Sequence, residues 1–171
     1  ISALKVGKKL FVLTKEDYDT EGLVEALNGI IFCLTKMNQY EKVFSLLEDK
    51  EVEKYLDKVK ITQYRIYSKV KNEEYTQVIN DFLNIEKEIV GKIPASILFN
   101  VGEAYFRTAN FKKSIYYFDQ FVKENSFEKK SAEARLRLAL SYDLISKNEK
   151  LVSEMYKNVI DRSADPYVRY E

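Results

Sequence analysis

Three short polar breaks, each closed by an aromatic residue, recur at nearly constant spacing along this chain. They end at Tyr40, Tyr75 and Phe111, so the intervals are 35 and then 36 residues, and a fourth break lies at residues 146–150. An apolar stripe at helical spacing follows each break. Val43, Phe44 and Leu47 follow the first; Val78, Ile79 and Phe82 the second; Ile115, Phe118 and Val122 the third; Leu151, Val152, Met155 and Val159 the fourth. A matching stripe precedes each break, for example Leu27, Ile30, Ile31 and Leu34 before Tyr40, and Leu98, Val101, Gly102 and Tyr105 before Phe111. Each period therefore predicts two amphipathic helices joined by a tight turn. A single helical pair of this size cannot bury both apolar faces, whereas stacked neighbours can.

Composition narrows the remaining options. With 171 residues, 46% hydrophobic and 32% charged, the chain is long enough for one ordinary domain or a short repeat array and is neither disordered nor membrane-embedded in character. Five glycines and two prolines give too little turn punctuation for a strand-rich fold. The formal net charge of +1 argues against a broad nucleic-acid footprint, which needs a basic face. Histidine is absent, which removes the commonest general base and the commonest transition-metal ligand. Cys33, the one cysteine, sits among apolar neighbours and reads as a small buried residue; no disulfide within the chain and no thiolate zinc cluster can form.

The expected organisation is an all-α array running over the whole chain. Residues 1–20 read as a preceding helix and linker, 21–56, 57–92, 94–128 and 129–163 as four repeats, and 164–171 as the start of a further helix with Asp165 as its cap and Pro166 at its first position. The chain looks like a piece of a longer protein. The mixed-sign run at residues 48–60 reads as a solvated helix face.

Residues 95–128 resemble a tetratricopeptide repeat. The family pattern has 34 residues with a large residue, Leu-Gly, Tyr, Ala, an aromatic, Ala and Pro at fixed offsets. This sequence supplies Leu98, Val101-Gly102, Tyr105, Phe111, Ser114, Phe118, Phe121 and Ser126. In the following unit Ala139 replaces the glycine and Tyr142 the tyrosine, while Leu151 and Asn158 depart from the family's small residues; the two earlier units match in apolar pattern only. Gly102 and Ser114 are expected where two helices cross closely, with Tyr105 and Phe118 filling the space around them. Locally, residues 123–145 are similar to repeats of bacterial envelope proteins such as the outer-membrane-assembly lipoprotein and the Tol–Pal accessory protein.

What the resemblance implies is a right-handed superhelical solenoid of about four helical hairpins plus flanking helices, serving as a non-catalytic protein–protein interaction scaffold or adaptor. First helices would line a concave groove. On the third hairpin the groove-facing residues should include Ser96, Phe99, Asn100, Glu103, Phe106 and Arg107, and on the fourth Glu133, Leu136, Arg137, Leu140, Asp143 and Leu144. The apolar members suit a partner helix or extended segment, with the charged ones as a rim; a neighbouring helix covering them is the competing expectation. In residues 115–121, Phe118 and Phe121 take core roles, and Tyr116 and Tyr117 are expected to be partly exposed.

No catalytic constellation stands out. The glycines are scattered, residues 6–10 carry a Gly-Lys pair without the rest of a phosphate loop, and the acidic spacing of residues 17–22 lacks the central glycine of a calcium loop and its terminal glutamate at the required offset, so it reads as a linker. The expectation is no enzyme activity, no cofactor and no metal. The expected partners are one or more proteins, with no nucleic acid favoured and no membrane span within this chain; the expected location is a bacterial periplasm or cell envelope. Two alternatives from other classes stay open: a helical-repeat binder of single-stranded nucleic acid, or a regulatory peptide-binding domain in the cytoplasm.

Overall fold

The computed structural model describes residues 20–50, 52–125, 130–146 and 148–162. Among them are eight α-helices and no strand: α1 (Thr20–Lys36), α2 (Tyr40–Leu47), α3 (Lys58–Lys71), α4 (Tyr75–Ile85), α5 (Ala95–Arg107), α6 (Phe111–Glu124), α7 (Ser131–Ile145) and α8 (Glu149–Arg162). None of these helices is long and apolar enough to cross a membrane. The helices expected at the two ends, around residues 1–13 and from Asp165 onward, lie outside the described residues.

The sequence period reappears as a period of backbone conformation. Asn38, Glu73 and Ala109 all adopt left-handed φ values, of 55°, 60° and 58°. Around them the hydrogen bonds are the same. The N–H groups of Gln39, Glu74 and Asn110 each donate at 2.9 Å to the carbonyls of Leu34, Lys69 and Tyr105, five residues back. Those of Asn38, Glu73 and Ala109 donate to Thr35, Val70 and Phe106 at 3.1, 3.2 and 3.0 Å. This is the Schellman ending, which satisfies the last carbonyls of a helix and turns the chain sharply. The fourth break is built differently. Ser146 is extended and its N–H donates to the Tyr142 carbonyl at 2.7 Å, while Asn148 caps α8 by accepting from the N–H of Leu151 at 3.1 Å.

The chain divides into two compact units between Glu74 and Tyr75. In the first, Leu27, Ile30, Ile31 and Leu34 of α1 meet Val43 and Leu47 of α2, Val52, Leu56, and Ile61 of α3. Burying each side chain of this size contributes about 1.5–3 kcal/mol. Tyr64 of α3 donates a hydrogen bond to the Asn28 side chain of α1. Two expectations are corrected here. Residues 48–60 are not one solvated helix face: α2 stops at Leu47 after eight residues, a 3-10 turn spans Val52–Lys54, and Val52 and Leu56 are buried. Asp57 ends that stretch because its carboxylate accepts from the N–H of Lys60 at 2.7 Å and so nucleates α3 as its N-cap. Cys33 is half-buried rather than sealed in the core.

In the second unit α4 to α8 pack against one another in sequence order. Gly102 of α5 lies directly under the ring of Phe118 of α6. A Cβ at Gly102 would come within 3.1 Å of Phe118 Cδ1 and 3.2 Å of its Cγ and Cε1, which is why a glycine sits mid-helix here despite a propensity penalty of about 1 kcal/mol against alanine. Ser114, fully buried, joins α6 to α7: the Ser141 hydroxyl donates to the Arg137 carbonyl at 2.7 Å, so at 3.2 Å the Ser114 hydroxyl is the donor to Ser141. Small side chains at 102 and 114 thus allow two close helix crossings in succession.

Tyr117 is 1% exposed, a further correction, while its neighbour Tyr116 carries the exposure. The Tyr117 ring stacks on Tyr105 at 5.5 Å and takes Phe82 edge-on at 5.4 Å; its hydroxyl donates to the Glu86 carboxylate at 3.2 Å. Burial, and then the negative charge of Glu86, push the Tyr117 phenol well above its ordinary range, and Tyr105 is raised for the same two reasons.

Candidate functional site

The expected groove residues come from α5 and α7, and the structure separates them into three groups. The first is a charged cluster. Glu103, 7% exposed, accepts from Arg107 Nε through Oε1 at 2.7 Å and from Arg137 Nε through Oε2 at 2.9 Å. Glu103 and Arg107 are one helical turn apart on α5, whereas Arg137 reaches across from α7, 34 residues on. One carboxylate therefore ties two successive hairpins together. Charge-assisted bonds of this kind are short and strong, and the carboxylate has both oxygens engaged. Phe106 belongs to the same cluster: the Arg137 guanidinium lies 5.2 Å above its ring, and Phe111 packs edge-on at 5.8 Å. Arg107 in turn lies 5.9 Å above the ring of Tyr75.

The second group is buried and offers no surface. Phe99 packs edge-on against Phe118 at 5.6 Å and Phe121 at 5.4 Å, and the Lys130 ammonium covers its face at 4.4 Å. Asn100 is 4% exposed. Leu136 sits in a small core with Ala139 and Val159, against which Leu140, Met155 and Tyr156 pack. The apolar surplus on α5 and α7 is thus largely absorbed inside the hairpins. The reason is geometric: α7 packs against α6, α8 and α5, and these neighbours cover most of its apolar side chains.

The third group remains on the surface. Leu144 is 59% exposed. Asp143 is exposed and accepts from the Tyr156 hydroxyl at 3.1 Å; burial, and next that hydrogen bond, raise the Tyr156 phenol. Ser96 and Glu133 are exposed as well. Of the expected groove residues, Phe106, Arg137 and Leu140 are half-buried, and Ser96, Arg107, Glu133, Asp143 and Leu144 are exposed.

Sequence reasoning did not place Tyr75 and Phe111 in this cluster. They were visible as the aromatics that close two breaks, and each is the first residue of its helix, a position that sets its ring beside the end of α5. Among the described residues no group of three or more acidic or cysteine side chains could hold a metal ion. The arrangement can present apolar side chains with two guanidiniums beside them.

No family model matches this chain, and no curated protein matches it in sequence.

Proposed function

We propose that this chain is a non-catalytic scaffold of the tetratricopeptide type, a right-handed superhelical array that holds a segment of another protein along the α5/α7 face. The observation that carries this reading is the recurrence of the Schellman turn at Asn38, Glu73 and Ala109, at the spacing of the aromatic breaks. Helical units that end in the same turn at nearly constant spacing are the building pattern of repeat arrays, whose extended faces serve as binding surfaces. The close packing of Phe118 on Gly102 and the small Ser114 at the next crossing add the family's side-chain logic. Phe106, Leu140 and Leu144 form the apolar strip, with Arg107, Arg137 and Asp143 setting orientation and register. A place in a larger assembly of a bacterial envelope or periplasm rests on the local resemblance of residues 123–145 to envelope repeat proteins.

The test is capture from cells that make the protein, using wild type, Leu144→Glu and Lys112→Glu as bait. Leu144 and Lys112 are both exposed, so each variant keeps the fold. One dominant protein retained by wild type and Lys112→Glu and lost by Leu144→Glu supports the reading. Equal recovery by all three baits sinks it. Salt dependence separates the nucleic-acid alternative, because a complex built on phosphate contacts weakens steeply between low and moderate salt and one built on an apolar strip does not.

A further inference from the structure

We draw no further inference here: the strongest candidate, the strip of Phe106, Leu140 and exposed Leu144 on the α5/α7 face, belongs to the surface already described, and nothing in the structure shows what covers it.

Discussion

Replacing Gly102 by leucine tests the helix crossing on which the second unit is built. The first added carbon alone would stand 3.1 Å from the ring of Phe118, and three more carbons would follow it into the same space. Phe118 is fully buried and braced edge-on by Phe99 at 5.6 Å, so its ring has little freedom to swing aside. Leaving glycine inside a helix returns about 0.8 kcal/mol of propensity. Overpacking a close crossing costs about 1–3 kcal/mol or more, and four inserted carbons against a braced ring belong at the upper end. The net expectation is a loss of about 1–2 kcal/mol, or a fall in melting midpoint of roughly 2–8 °C for a chain of this length. Gly102→Ala is the matched control: its single carbon needs the ring to yield by a few tenths of an ångström, and the propensity gain offsets most of that strain, so its midpoint stays close to wild type. The assay is thermal melting by circular dichroism, repeated in a Phe118→Ala background. There the ring is gone, and the leucine is expected to cost much less than it does alone, a non-additivity that marks direct contact. A Gly102→Leu midpoint within about a degree of wild type, or strict additivity with Phe118→Ala, would refute the crossing.

The other predictions concern separate features. Ala109→Gly and Glu73→Gly are each expected to raise stability by about 0.5–1 kcal/mol, because a left-handed residue with a Cβ is replaced by one without, measured by urea unfolding; a loss would show that these turns are not left-handed in solution. Glu103→Ala is expected to lower stability by about 1–3 kcal/mol, since it strips the shared carboxylate from Arg137, whose side chain is only 21% exposed; an unchanged urea midpoint would contradict the bridge. Tyr117 ionises later in the folded protein than in the unfolded chain, so its contribution is intact below about pH 10 and declines as pH rises toward its elevated folded-state value. Tyr117→Phe should therefore flatten the alkaline fall in melting midpoint, and an identical pH profile for the two proteins would dismiss the buried phenol as its source. Leu140→Glu is expected to destabilise, through lost packing on Leu136 and Val159, whereas Leu144→Glu is expected to leave the melting curve within about 0.5 kcal/mol of wild type; equal effects would mean that half-buried Leu140 owes no more to packing than exposed Leu144.

The helices were legible because their apolar stripes follow a 3.6-residue period over long stretches, and the small residues at 102 and 114 marked the tight crossings. The turns were legible only indirectly. A Schellman ending is usually announced by glycine, but here the left-handed position is held by Asn38, Glu73 and Ala109, so the signal lay in the flanking polar residues and the aromatic that follows. The stretch 48–60 misled because alternating charges mask Val52 and Leu56, whose four-residue spacing suits either a helix face or, as found, a short turn that drops both into the core. For the expected groove residues, helical spacing placed them on α5 and α7 but did not tell which of them are buried. Which of Phe99, Leu136 and Leu140 faces a neighbour depends on how α6 and α8 flank α5 and α7, and that is a tertiary property with no trace in one helix's period. The Glu103–Arg137 bridge was closer to legible, since its partners lie 34 residues apart, close to the spacing of the breaks.

The most direct test of the α5/α7 face is site-specific photo-crosslinking in the cells that make the protein, with the reactive side chain placed in turn at Leu144 and at Tyr116, which is 54% exposed on α6. The scaffold reading predicts an adduct to one defined protein from position 144 and none from position 116. An adduct from 116 with none from 144 would move the interface off the α5/α7 face and contradict the account.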